Sequence, residues 1–149
     1  MKKDILFDFF SKEDLLKIFP EEVLQSMNNM VNFNVNDLEN EMRDLMNHRH
    51  RINQAISTLK YKISLENKRL KKIEFQVWKN SFVESFKFQN INEKKLYIES
   101  HDDFIKIQHS VDKLAIQLDF LERLGNLLES KHYMIKNYLD YLIWTKGDK

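Results

Sequence analysis

From Leu38 onward the apolar residues recur in alternating steps of four and three: Leu38, Met42, Leu45, then Ile52, Ile56, Leu59, Ile63, then Leu70, Ile73 and Val77. Only Arg49 and Glu66 interrupt the series. A stripe repeated every 3.5 residues over so long a stretch stays on one side of a helix, and it has to be buried against a second helix carrying a matching stripe. That partner is present in the same chain. Phe104, Ile107, Val111, Leu114, Leu118, Leu121, Leu128, Ile135, Leu139 and Leu142 follow the same steps, with Gly125 and His132 as the exceptions. At 1.5 Å per residue both helices are expected to run on the order of 60 to 70 Å. The expected fold class is therefore all-α, an antiparallel hairpin of two long heptad helices.

Turn chemistry agrees with few, long elements, since 149 residues contain only 2 Gly and 1 Pro. A many-stranded sheet or a Rossmann-type domain needs more. The boundaries implied are an acidic, Phe-rich segment 1–35 and a helical hairpin 36–149, the latter divided into a long basic helix 37–84, a connector 85–100 and a helix 101–146. In the first segment, Ser11 with Asp14 resembles a capping box, and Pro20 opens a second short helix over Glu21 to Val31. Asn36 or Asp37 is placed to cap the first long helix, and Ser100 with Asp103 the second; Lys146-Gly147 suits a helix end. Phe82, Phe86, Phe88 and Ile91 to Ile98 alternate too briefly to decide between loop, helix extension and small hairpin.

The C-terminal helix carries a second apolar stripe at the same spacing, Phe120, Leu124, Leu127, Met134, Tyr138 and Tyr141, rotated by roughly 110° from the first. One partner helix cannot cover both faces, so this stripe is expected at an interface between copies of the chain. Packing by the N-terminal segment is the alternative.

Charge is unevenly spread. Met1 to Met42 has 4 Lys/Arg and 9 Asp/Glu, Arg43 to Lys95 has 13 and 5, and Leu96 to Lys149 has 7 and 9. In the heptad register Arg51, Lys68, Lys71, Lys72 and Lys79 fall at outer positions, Lys60, Lys62 and Arg69 flank the seam, and Arg49 sits within it. A basic row of this kind offers a phosphate chain many contacts and counterion release, with Tyr61, Phe75 and Trp78 as stacking surfaces. The plainer account is a long helix with a solvated outer face, and Trp78 packed at its end.

Other chemistry finds no framework. There is no glycine-rich phosphate loop and no nucleophile elbow, and zero cysteines leave neither disulfides nor thiolate sites. His48 and His50, two residues apart on a helix, point to separate faces and are expected to be surface histidines rather than a metal pair. Asp102 and Asp103 are an acidic first turn stabilised by the helix dipole. No catalytic residue, metal or cofactor is assigned. No apolar run reaches the roughly 18 residues of a membrane span, and Asp4 and Asp8 interrupt the basic N-terminus, so a soluble, cytoplasmic protein is expected.

The segment Ser100-His101-Asp102-Asp103-Phe104-Ile105-Lys106-Ile107, and above all Ile135-Lys136-Asn137-Tyr138-Leu139-Asp140-Tyr141 running on to Lys146-Gly147, resembles the UvsY family, the recombination mediator proteins of T4-like phages. The similarity extends to the seam of the preceding helix, its cluster at Lys68 to Lys72 and the aromatic region Phe75 to Trp78, so it spans Leu38 to Gly147. It implies a non-enzymatic helical protein that assembles into a ring-like homo-oligomer of about six or seven subunits. It further implies non-specific binding of single-stranded DNA and help to a RecA-like recombinase in replacing the single-strand binding protein. The basic segment is not matched letter for letter, so Lys68, Arg69, Lys71 and Lys72 enter by location and charge. The acidic first 35 residues have no counterpart in the family; their acidity and aromatics suit docking of a protein partner. Two competing readings use the same helices without DNA: a prefoldin-like chaperone, which needs a β-hairpin at Phe82 to Ile98, and a dimeric coiled-coil adaptor.

Overall fold

The computed structural model describes residues 6–7, 10–32, 34–80 and 91–147. Within them the elements are α1 (Lys12–Leu16), α2 (Glu21–Val31), a 3₁₀ turn (Val35–Asp37), α3 (Leu38–Asn80), α4 (Ile91–Glu99) and α5 (Asp102–Gly147). No strand occurs among the described residues. The fold is all-α, with two long heptad helices and short N-terminal helices, as the spacing predicts. Phe82, Phe86 and Phe88 lie outside the described residues, whereas Ile91–Glu99 is helical, which resolves the second half of the connector.

The seam behaves as its period demands. In α3 the positions of Leu38, Met42, Leu45, Arg49, Ile52, Ile56, Leu59, Ile63, Glu66, Leu70, Ile73 and Val77 are all buried or half-buried, the two interrupting residues included. The same holds in α5 from Phe104 to Leu142, through Gly125 and His132. Two compact units share these helices: Met1–Ile56 with Asp119–Lys149, and Ser57–Leu118.

The first unit contains the deeper core. Leu45, Leu124, Leu128 and Ile135 are fully enclosed there, with Leu6 and Leu24 from the N-terminal segment. In α2 the residues Leu24, Met27, Asn28 and Val31 fall at i, i+3, i+4 and i+7 and form its buried face. Asn28 reaches back to accept the Leu6 N–H at 3.1 Å, fixing the entering chain on α2. Phe10 and Phe19 close on Phe120, with ring centroids 4.9 Å and 5.1 Å away. Each such aromatic contact adds about 1 kcal/mol to the burial of the rings.

These contacts correct the expected oligomer stripe. Phe120 and Leu124 are core residues of this chain, and Phe120 is covered by Phe10 and Phe19 of its own N-terminal segment. Leu127 is half-buried, while Met134, Tyr138 and Tyr141 stay exposed.

A buried charge ties the same unit together. Lys131 is only 3% exposed, and its ammonium donates to the carbonyls of Met30 at 3.0 Å and Asn32 at 2.8 Å and to Glu41 Oε2 at 3.1 Å. Three donors thus meet three acceptors, which is the condition for burying an ammonium without a large desolvation penalty. The other Glu41 oxygen accepts the Asn34 N–H at 2.9 Å, so one carboxylate joins α5 to the turn before α3.

Helix ends depart from the expected caps. The Ser11 side chain makes no capping hydrogen bond. Ser100 donates to the Tyr97 carbonyl at 2.8 Å and so finishes α4, while His101 Nδ1 accepts the Asp103 N–H at 3.3 Å and starts α5. Asn36 and Asp37 belong to the 3₁₀ turn, which Asn34 Oδ1 caps by accepting the Asn36 N–H at 3.0 Å. A polar residue was needed at each place, and which one served depended on where the preceding turn ended.

His48 is not the surface histidine that its neighbour His50 is. It is half-buried, and its Nδ1 is enclosed without a hydrogen bond among the described residues. Burial lowers its pKa below 6.5, and the Lys131 charge adds to the effect; Arg51 acts in the same sense, Asp44 and Glu41 in the opposite one. The native state therefore binds this proton less readily than the unfolded chain does. Its contribution to stability is complete above pH 6.5 and is lost as the pH falls through the depressed native value. His48→Gln should flatten the fall in Tm between pH 7 and pH 5 measured by circular dichroism, and an unchanged slope would contradict this assignment. Gly125 offers a second check. An added Cβ there would meet Ile52 Cγ2 at 3.9 Å, an ordinary contact, and its φ is negative. Gly125→Ala should therefore stabilise the protein by about 0.5 to 1 kcal/mol in urea titrations.

Candidate nucleic-acid interface

Between Ser57 and Asn80 the chain has seven Lys/Arg against two Asp/Glu. With the seam turned toward the protein, the opposite side of α3 presents Tyr61, Leu65, Lys68, Lys72, Phe75 and Lys79 in steps of four and three. All six are exposed, Tyr61 by 66% and Phe75 by 60%. Rings left in water at this spacing, alternating with ammonium groups, differ from an ordinary solvated face, where aromatic residues are sparse.

Most of the sequence-predicted residues share this unit. Lys60, Lys62, Lys68, Arg69, Lys71, Lys72 and Lys79 are exposed on it, and Trp78 is half-buried at its end. Arg69 Nη1 pairs with Glu66 Oε1 at 2.9 Å, so part of its charge is answered locally. Arg49 and Arg51 belong to the other unit: Arg51 is exposed there, and Arg49 is half-buried in the seam.

What the sequence reading missed is the contribution of α4. Lys71, Glu74, Phe75 and Trp78 of α3 face Ile91, Lys94, Lys95, Ile98 and Glu99 of α4 and Phe104 of α5 across an open groove of about 650 Å³. Lys94 Nζ stands 4.1 Å from the centre of the Trp78 ring, a cation–π contact, and Lys95 pairs with Glu99 at 3.8 Å. Val77 and Ile98, both 7% exposed, are the buried residues of this unit among those described. The adjacent pair Lys94-Lys95 was visible in the sequence. Without knowing that Ile91–Glu99 folds as a helix beside α3, nothing connected it to Trp78.

Among the described residues no group of three or more His, Asp or Glu could hold a metal ion, and no helix is long and apolar enough to cross a membrane. The arrangement suits contact with a chain that is anionic and carries flat, apolar rings.

Fold and surface together define a class: an all-helical protein with two long heptad helices, one of which presents a cationic, aromatic outer side. A solved structure that shares this fold is that of the bacteriophage T4 recombination mediator protein UvsY. The match has a TM-score of 0.70 at 16% identity and covers 87% of this chain and 98% of that one. At that identity it is the fold that is common to the two. No family model and no curated protein sequence matches the chain.

Proposed function

We propose that this chain is a recombination mediator: it binds single-stranded DNA without sequence preference as a homo-oligomer and helps load a RecA-like recombinase in place of the single-strand binding protein. The observation that carries the reading is the outer side of α3, where Tyr61 and Phe75 stand exposed among Lys68, Lys72 and Lys79 on a UvsY-like fold. Phosphates take the ammonium groups and bases take the rings, and neither contact discriminates sequence. The chain acts in this reading as a scaffold and not as an enzyme, in the cytoplasm of a phage-infected cell. The acidic N-terminal segment is the candidate surface for the recombinase or the single-strand binding protein.

Multivalency supplies the affinity that single contacts lack, and the exposed residues Met134, Tyr138 and Tyr141 in steps of four and three are the candidate subunit contacts. Leu127 lies beside them, half-buried. The prefoldin-like reading needed a second strand over the stretch that forms α4, and that stretch is helical.

Charge reversal at Lys68, Lys71 and Lys72 together should weaken binding of a labelled oligonucleotide at least tenfold, and wild-type affinity should fall with a log–log salt slope steeper than about −2. Salt-independent binding, or none, would sink the reading. For assembly, Met134→Lys with Tyr138→Lys should lower the particle mass measured by light scattering while leaving the helical circular dichroism unchanged; an unaltered mass would remove these residues from the interface.

A further inference from the structure

Resting on the proposed function, we infer that the groove between α3 and α4 is a base-stacking slot, in which Phe75 and Trp78 take a nucleobase of a single strand while Lys71, Lys94 and Lys95 take its flanking phosphates. The two rings lie 6.3 Å apart and 31° from parallel, forming a stepped apolar platform. Ile91 and Phe104 extend its walls. Three ammonium groups outnumber the carboxylates of Glu74 and Glu99 along the lining, and Glu99 is already engaged by Lys95. A polyanion with planar bases complements both halves of that surface; an acidic peptide would answer only the charge.

Lys94 has a particular place in the slot. Its ammonium covers a Trp78 face at 4.1 Å, where a stacking base would otherwise sit. A base and its phosphate exchange this cation–π contact for a ring–ring contact and an ion pair, so the side chain moves from ring to phosphate as the strand enters. The helix α4 thereby becomes part of the DNA site and not a mere connection between the long helices.

The chain has two tryptophans, so Trp144→Phe leaves Trp78 as the sole indole reporter. In that variant an unlabelled oligothymidylate should quench Trp78 emission by more than about half, whereas an abasic deoxyribose-phosphate oligomer of equal length should bind without quenching. Phe75→Ala should lower oligothymidylate affinity about tenfold and leave abasic affinity unchanged; since Phe75 is 60% exposed, folding should be unaffected, which circular dichroism checks. Anisotropy of end-labelled strands reports binding independently. Binding by anisotropy with Trp78 emission unchanged, or equal quenching by the abasic strand, would overturn the slot while leaving the DNA-binding reading standing. Absence of any anisotropy change would overturn that reading, and the slot with it.

Discussion

A stripe of apolar side chains repeated every three and four residues along a helix has to be covered wherever it runs, and this requirement organises the protein. Both long helices carry such a stripe, and keeping it out of water sets the rotation of each helix at every turn. The polar interruptions obey the same geometry: Arg49 and Glu66 sit inside the line and are half-buried with it. Rotation fixed on one side is rotation fixed on the other. Lys68, Lys72, Tyr61 and Phe75 face solvent because Ile63, Leu70 and Ile73 do not.

The second layer of organisation is local to the unit that contains the N-terminal helices. There the α5 surface beyond the seam is buried at Phe120 and Leu124, and Phe10 and Phe19 close over Phe120. A lysine in that region would ordinarily be expensive to bury. Lys131 is accommodated because α2 ends where its last carbonyls point at the ammonium and Glu41 completes the set. The same cation helps to keep His48 neutral. Hydrophobic cover and a satisfied charge thus anchor one segment by two different means, the first without direction and the second strongly directional.

The other unit has a thinner core: among its described residues only Val77 and Ile98 are buried, while Tyr61, Phe75, Ile91, Leu96 and Ile116 are exposed. Phe75 and Ile91 line its cationic groove, so rings and ammonium groups stand side by side there. The likeness to the T4 UvsY structure is one of fold, and the surface chemistry is this chain's own. Neither depends on the other, since the fold match at 16% identity carries little of the side-chain pattern.

Heptad spacing and turn residues determined the all-helical class, the two long helices, the start of α2 after Pro20 and the outward direction of Lys68 and Lys72, because helix period and turn residues are properties of consecutive positions. Tertiary structure decided what consecutive positions do not encode. Whether Phe120 and Leu124 were covered by a neighbouring molecule or by the chain's own first helices depended on a contact across some hundred residues, and periodicity is the same in both cases. The cap of α5 moved by one residue, from Ser100 to His101, because a hydrogen bond goes to whichever side chain the preceding turn leaves nearest. Nothing in the spacing of α5 sets Lys131 apart; it is buried because acceptors converge on it from separate elements. Lys94 joined Trp78 only because Ile91–Glu99 folded as a helix beside α3, a packing choice made by the whole chain and not by the short alternation that spells it.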